Sequence, residues 1–192
     1  MNLSAVYDQD FFEMHVPWRA EYDAIADWLT RALPFSTVID LGAGNGFLLA
    51  RLMAVGKDVR GVDGSMSALE AAPKELLGRI TQHDLSQPLP LSGFDLVICT
   101  EVAEHLDFDS SKVLLDTVCS NRRGFVYFTA AVPGQGGHHH VNEQPHSFWI
   151  REFAERGYTL VTDITNAFRT ELSGTVHTAW WLVKNAMIYR AP

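Results

Sequence analysis

The chain has 192 residues, a length that suits one domain with one sizeable core and argues against two domains. Hydrophobic residues make up 47% and charged residues 20%, which excludes the disordered and fibrous classes of protein. Fifteen Lys and Arg against 23 Asp and Glu give a formal charge of −8. The basic residues are scattered, so the composition argues against nucleic acid as a partner.

The amino terminus and the cysteines indicate the compartment. Residues 1–8 have neither a basic start nor an apolar run, and no stretch approaches the roughly 18 apolar residues of a membrane span. Cys99 and Cys119 lack the spacing of a metal or redox pair, so we expect reduced thiols in the core. These observations predict a cytoplasmic protein that does not bind a membrane, and they leave its oligomeric state open.

Apolar periodicity predicts helices that alternate with strands. Apolar residues recur three and four apart between residues 17 and 33, as in an amphipathic helix. The following pattern predicts, in chain order, strand 35–41, a helix from Phe47, strand 58–62, a helix near 65–77, strands 79–83 and 94–100, helix 110–121, strand 124–130, helix 147–156 and strands 158–164 and 183–190. Such alternation is typical of a doubly wound α/β sheet. We expect one domain overall, with an amino-terminal cap segment and first helix at 1–34 and a core at 35–192.

A glycine-rich turn, Asp40-Leu41-Gly42-Ala43-Gly44-Asn45-Gly46, follows the first predicted strand. Ligands of open α/β sheets bind beyond the carboxyl ends of the strands, so this turn is a candidate binding site. Its alternate glycines let the backbone approach a ligand and point amide N–H groups at it. Phe47 stands where the dinucleotide fingerprint has its last glycine, which argues against NAD and against an oxidoreductase.

Acidic residues follow the next two strands. Asp63 ends the second strand, where a carboxylate can accept hydrogen bonds from both hydroxyls of a ribose, in NAD or in S-adenosylmethionine. Asp84 follows the third strand and can accept the adenine amino group, while the Leu85 N–H serves a ring nitrogen. The alternative for Asp84 is an ordinary turn carboxylate.

Taken in order, Asp40 to Gly46, Asp63, Asp84 and residues 94–106 resemble the successive motifs of the class I S-adenosylmethionine-dependent methyltransferases, over about residues 35–165. The resemblance implies a Rossmann-like sheet of seven strands whose last strand, placed at 183–190, is antiparallel. It also implies S-adenosylmethionine as the cofactor. The predicted cofactor residues are Asp63 at the ribose, Asp84 and Leu85 at the adenine, Asp40, Gly42, Gly44 and Gly46 at the methionyl end, and Thr100 at the end of the fourth strand.

The segment Glu101-Val102-Ala103-Glu104-His105 places Glu101, Glu104 and His105 on one face if a helix begins there. It resembles the metal-binding acidic helix of ubiquinone-pathway O-methyltransferases and of small-RNA terminal 2′-O-methyltransferases. One interpretation is therefore a divalent metal held by these three residues and His139. The other, which we favour from the sequence, is that no metal binds and that the Glu-His pair shapes the cofactor pocket.

The loop 132–146 carries four histidines beside glycines, directly after the fifth strand. It is similar to a loop of bacterial small-molecule methyltransferases. Histidine is costly to bury without partners, and here His139 or His140 is a candidate general base, with His105 and Glu101 completing the predicted catalytic set. The alternative is a solvated polar loop.

Together these features predict a methyltransferase that acts on a small molecule, most simply at an oxygen atom. Two alternatives stay open from the sequence: an RNA 2′-O-methyltransferase with a metal site, and a non-catalytic cofactor-binding partner subunit. The aromatic segment from Tyr7 to Trp18 is interpreted either as a cover over the cofactor or as packing for the first helix.

Overall fold

The computed structural model describes residues 6–192, so part of the segment 1–8 that was used to predict the compartment lies outside the described residues. The strands are β1 Thr37–Leu41, β2 Asp58–Asp63, β3 Ile80–Gln82, β4 Leu96–Thr100, β5 Phe125–Thr129, β6 Thr159–Leu160 and β7 Met187–Arg190. The α-helices, numbered from Gln9, are α1 Gln9–Glu13, α2 Arg19–Ala32, α3 Phe47–Ala54, α4 Met66–Ala71, α5 Phe108–Ser120, α6 His146–Glu155, α7 Thr162–Leu172 and α8 Trp180–Lys184. Short 3₁₀ turns lie at Val16–Trp18, Lys74–Leu76 and Ala103–His105. Within 6–192, no helix is long and apolar enough to cross a membrane.

The seven strands form one sheet in the order β3-β2-β1-β4-β5-β7-β6. Strands β1 to β5 pair in parallel, whereas β7 is antiparallel to both β5 and β6. The predicted α/β sheet with an antiparallel last strand is therefore confirmed. The strand order reverses between β1 and β4, and the loops that follow these two strands consequently border a crevice.

Two apolar cores lie on opposite faces of the sheet because successive side chains of a strand point in opposite directions. In β1, Val38 belongs to the core that includes Leu29 of α2 and Leu49 of α3. Ile39 belongs to the other core, with Leu115 of α5 and further residues of α6. Helices therefore cover both faces, and the carboxyl ends of the parallel strands stay open as a binding edge.

The carboxyl-terminal part of the chain differs from the predicted strands. Helix α7 begins at Thr162, inside the predicted strand 158–164. Helix α8 ends at Lys184, inside the predicted strand 183–190. Phe168 and Leu172 are buried four residues apart, which is the helical spacing that the prediction missed. Strand β6 needs only its two residues because it pairs with β7 alone at the sheet edge.

Glu21 in α2 binds the segment that precedes α8. Its carboxylate accepts hydrogen bonds from the backbone N–H groups of His177, Thr178 and Ala179 at 2.9, 2.8 and 2.7 Å. Desolvation raises the pKa of this carboxyl group, but the three donors outweigh desolvation and lower the pKa overall. One side chain thus joins two parts of the chain that are more than 150 residues apart.

We expect Glu21→Gln to lower the free energy of unfolding by about 1 kcal/mol at pH 7, because charge-assisted hydrogen bonds are lost at a partly exposed site. A lowered pKa stabilises the fold above the unfolded value, and this stabilisation is lost as the pH falls through the lowered pKa. Urea unfolding at pH 7 and pH 3 should therefore show the difference only at pH 7. Glu155→Gln, which changes an exposed glutamate on α6, is the control. Equal effects of the two variants at pH 7 would contradict the prediction.

Candidate active site

The glycine turn lies between β1 and α3 in left-handed backbone conformations. Gly42 and Gly46 have φ angles of 81° and 69°. A Cβ atom at Gly42 would collide with the Val102 side chain, and one at Gly46 would lie 2.7 Å from Leu76 Cδ1. Glycine is therefore required at both positions, both for the backbone conformation and for the close approach of neighbouring side chains.

Asp63, at the end of β2, connects to the glycine turn. Its Oδ2 accepts a hydrogen bond from the Gly44 N–H and its Oδ1 accepts one from the Ser65 N–H, each at 2.8 Å. Burial raises the pKa of Asp63, although these backbone donors oppose the shift. The carboxylate predicted to bind the ribose thus lies directly against the turn.

Asp40, at the end of β1, is 3% exposed. Its Oδ1 is buried without a hydrogen-bond partner among residues 6–192, as is Glu101 Oε1. Burial, with a further contribution from the charge of Asp63, raises the pKa of Asp40 to about 8. A buried carboxylate oxygen that has no donor favours a ligand that carries positive charge.

The remaining predicted cofactor residues lie after β3 and at the end of β4. Asp84 is exposed, and its Oδ1 accepts a hydrogen bond from the Ser86 N–H at 2.9 Å, as in an Asx turn. Leu85 is buried, and Thr100 ends β4 opposite Thr129 of β5. The adenine role of Asp84 and Leu85 stays a prediction.

The acidic segment after β4 does not form the predicted α-helical face. Glu101 has a left-handed φ of 54°, and the chain continues through a 3₁₀ turn before α5 begins at Phe108. The Glu101 and Glu104 carboxyl groups are nevertheless neighbours. Burial and the adjacent Glu101 raise the pKa of Glu104 well above its usual range. A strained backbone next to a buried carboxyl pair is typical of a functional site.

The main chain at Glu104 holds the histidine loop. Its carbonyl oxygen accepts hydrogen bonds from the N–H groups of Val141 and Asn142 at 2.9 and 3.0 Å. The His140 ring consequently lies 4.9 Å from the His105 ring, centroid to centroid. Glu104, His105 and His140 each offer one ligand atom, and these atoms all lie within 4.8 Å of one another. We call these three residues the Glu-His-His cluster.

The cluster differs from the predicted metal-ligand set. His139 is exposed and has a left-handed φ of 56°. Its ring packs against the His138 ring, with 4.4 Å between the ring centroids. His140 therefore replaces His139 in the cluster, and Glu101 lies outside it. The sequence could not distinguish the adjacent histidines because their orientations depend on the conformation of the loop.

The amino-terminal aromatic segment lies over both halves of this site. The Tyr7 ring is 5.5 Å from the His105 ring, and the Tyr7 carbonyl accepts a hydrogen bond from Ser65 Oγ at 2.7 Å. Phe12 of α1 is buried and in van der Waals reach of the glycine turn at Gly44. The segment thus bridges the glycine turn and the Glu-His-His cluster.

Sequence reasoning missed three polar residues at the site. Gln135 Nε2 donates a hydrogen bond to Glu101 Oε2 at 3.4 Å, and Asn185 Nδ2 donates one to Gln135 Oε1 at 2.8 Å. The Oε1 atom of Glu143 lies 2.9 Å from the Nδ1 atom of His140. Asn185 could not be recognised from the sequence, because it is 50 residues from Gln135 along the chain. The spacing of three residues between His140 and Glu143 is the signal that could have indicated Glu143.

Comparison with known proteins places this geometry in a family. A family profile described as a methyltransferase domain matches residues 39–118. The chain is 25% identical over 185 residues to an uncharacterized methyltransferase from Anoxybacillus flavithermus, and this alignment covers 92% of this chain and 83% of that protein. It is 31% identical over 121 residues to a ubiquinone biosynthesis O-methyltransferase from Nitrosomonas europaea, and this alignment covers 59% of this chain and 50% of that protein. The chain thus spans about half the length of that relative.

A solved structure shares the fold. The magnesium protoporphyrin IX methyltransferase from Synechocystis PCC 6803, determined with bound SAH, superposes with a TM-score of 0.65 at 18% identity and covers 99% of this chain and 92% of that one. The sheet order, the glycine turn with its following acidic residues, and the matched methyltransferase domain agree with one another. The chain thus carries a methyltransferase domain and has the fold of the class I S-adenosylmethionine-dependent methyltransferases.

Proposed function

We propose that this protein transfers the methyl group of S-adenosylmethionine to an oxygen atom of a small-molecule acceptor, at the Glu-His-His cluster. The observation that carries the proposal is the convergence of His105 and His140, 4.9 Å apart, on the loops that follow β4 and β5. The name of the Nitrosomonas europaea relative supports oxygen as the acceptor atom. The formal charge of −8 supports a small molecule over RNA.

The acidic residues around the glycine turn fit the cofactor. S-adenosylmethionine supplies a methyl group activated by a positively charged sulfur, and it also carries an ammonium group. The unpartnered buried oxygens of Asp40 and Glu101, within the described residues, suit these positive charges. Asp63 would accept hydrogen bonds from the ribose hydroxyls, and Asp84 with Leu85 would bind the adenine.

Methyl transfer to a hydroxyl group requires alignment of the acceptor and removal of its proton. Burial, with a smaller effect of His140, lowers the pKa of His105 to about 4, so His105 is neutral at pH 7. The neutral His105 ring lies beside the His140 ring and adds no positive charge to the acceptor site. His140 is therefore our candidate general base, and His105 borders the same acceptor.

A second version of this function uses a divalent metal. Glu104 Oε2 and His105 Nδ1 are buried and, among residues 6–192, without hydrogen-bond partners. Together with His140 they offer the mixed carboxylate and imidazole ligands that divalent metals accept. A metal held there would polarise an acceptor hydroxyl and lower its pKa.

The test is methyl transfer to a panel of hydroxyl-bearing metabolites, with an RNA oligonucleotide in parallel. We expect His140→Gln to reduce turnover by about 10²–10⁴-fold, the usual contribution of a general base. His139→Gln is the matched control, because His139 lies outside the cluster and should retain turnover. Full turnover of His140→Gln would refute the proposed site.

Chelation distinguishes the two versions. EDTA treatment, followed by Mg²⁺, Mn²⁺ or Zn²⁺, should leave turnover unchanged if His140 acts as a base alone. The same treatment should abolish and then restore turnover if the cluster holds a metal. Methylation of the RNA oligonucleotide alone would favour the RNA alternative, and cofactor binding without transfer to any acceptor would favour the non-catalytic one.

A further inference from the structure

Glu143 binds both the glycine-rich part of the histidine loop and the ring of His140. Its Oε2 accepts a hydrogen bond from the Gly134 N–H at 2.7 Å. Its Oε1 accepts one from the Gly136 N–H at 2.7 Å and lies 2.9 Å from His140 Nδ1. The side chains of His140 and Glu143 are only 11% and 18% exposed. All these contacts fix the carboxylate relative to the ring.

These contacts determine which ring nitrogen carries the hydrogen. Both oxygens of Glu143 accept hydrogen bonds from backbone N–H groups, Oε2 from Gly134 and Oε1 from Gly136, as the oxygens of an ionised carboxylate do. An ionised carboxylate only accepts hydrogen bonds. Nδ1 of His140 must therefore be the donor, and in the neutral imidazole Nε2 then has the free lone pair.

Packing fixes the other side of the His140 ring. A Cβ atom at Gly137 would collide with the Cε1 and Nε2 edge of the ring. The His105 ring lies edge-on to His140 at an interplanar angle of 77°. The ring thus has little freedom to rotate, and its conformation depends on both the carboxylate and the glycine.

We propose that Glu143 is a positioning residue for methyl transfer, holding His140 in the Nδ1–H tautomer so that Nε2 faces the acceptor. This inference rests on the proposed function of His140. As the acceptor O–H bond breaks, its proton forms a new N–H bond at Nε2 and the oxygen electron pair forms the bond to the methyl carbon. The electron pair of the C–S bond stays with sulfur, which becomes a neutral thioether. Glu143 then stabilises the imidazolium ion through Nδ1–H.

A merely structural role for Glu143, as an acceptor for the loop N–H groups, makes a different prediction. In that case the loop would depend on Glu143 whether or not residue 140 is a histidine. In the positioning role, removal of Glu143 has no kinetic consequence once His140 is absent. A double-mutant cycle separates the two roles.

The first measurement is the tautomer itself, which requires no acceptor. Long-range ¹H–¹⁵N spectra of ¹⁵N-histidine-labelled protein at pH 8 should show His140 protonated at Nδ1, with the signal assigned by its loss in His140→Gln. In Glu143→Ala we expect the Nε2–H form, which neutral histidine prefers in water. An unchanged tautomer in Glu143→Ala would overturn the proposal.

The second measurement is the kinetic cycle. We expect Glu143→Ala to lower kcat by about 10–100-fold, with the acceptor KM and the affinity for S-adenosylmethionine within about twofold. In the His140→Gln background the same change should have no further effect, and equal losses in both backgrounds would overturn the proposal. If Glu143→Ala does not fold, Glu143→Gln keeps the side-chain size and one acceptor oxygen, and kcat should fall in the same direction.

The outcomes also separate this inference from the proposed function. Full turnover of His140→Gln would refute His140 as the base, and the inference would fall with it. A large loss in His140→Gln, combined with unchanged kcat in Glu143→Ala, would refute only the positioning role of Glu143.

Discussion

Asp63→Ala is expected to weaken binding of S-adenosylmethionine and S-adenosylhomocysteine by at least about tenfold. Two hydrogen bonds from ribose hydroxyls to an ionised acceptor contribute roughly 1.5–3 kcal/mol each, and 1.4 kcal/mol corresponds to about a tenfold change in affinity. Asp63 also binds the N–H groups of Gly44 and Ser65, so its loss loosens the glycine turn as well. Both effects act in the same direction.

Isothermal titration calorimetry with both ligands and with NAD checks this prediction. Asp58→Ala is the matched control, since Asp58 lies at the opposite end of β2, is exposed and forms ion pairs with Arg60 and Arg79. The control should bind S-adenosylmethionine with unchanged affinity. Unchanged affinity in Asp63→Ala would remove Asp63 from the site, and tight binding of NAD would contradict the cofactor assignment.

The placement of the glycine turn beside Asp63 could be predicted because its determinants are local. The glycines of the turn are required by left-handed backbone conformations and by close contacts. Asp63 follows directly from its position at the end of a strand that pairs with β1. Parallel strands bring their carboxyl ends to one edge, so motif order along the chain indicates proximity in the fold.

The acceptor half could not be predicted in detail because it depends on contacts between distant residues. His140 was not distinguishable from His139 until the carbonyl oxygen of Glu104 fixed the loop. Glu101 interrupts the expected helix through a left-handed conformation that no residue type other than glycine signals reliably. Asn185 reaches the site only because β7 is inserted between β5 and β6.

Asp40→Asn is expected to stabilise the ligand-free protein at pH 8 while weakening the binding of S-adenosylmethionine. Burial, and then the charge of Asp63, raises the pKa of Asp40 from 3.8 to about 8. A raised pKa means that the folded state binds a proton more tightly than the unfolded chain. The contribution of Asp40 to the stability of the wild type is therefore fully present below about pH 4 and is lost as the pH rises toward 8.

Asparagine does not ionise, so the variant should lack this decrease in stability with rising pH. At about 1.4 kcal/mol per pKa unit, the shift from 3.8 to about 8 sets an upper limit near 6 kcal/mol, and we expect Asp40→Asn to be about 2–4 kcal/mol more stable than the wild type at pH 8. At pH 4 the two proteins should differ by less than about 1 kcal/mol. Urea unfolding across this range measures the difference, and a variant less stable than the wild type at pH 8 would contradict the prediction.

Binding should change in the opposite sense, because an ionised Asp40 would pair with the ammonium group of S-adenosylmethionine. In the wild type at pH 7, binding of this cation should release the proton from Asp40, so the calorimetric enthalpy should vary with the ionisation heat of the buffer. Asp40→Asn should lose that dependence together with about tenfold in affinity. Asp95→Asn is the control: hydrogen bonds from the Ser36 and Thr37 backbone lower the pKa of Asp95, so this variant should be destabilised at neutral pH and bind the cofactor normally. Buffer-dependent enthalpy that persists in Asp40→Asn would show that another group releases the proton.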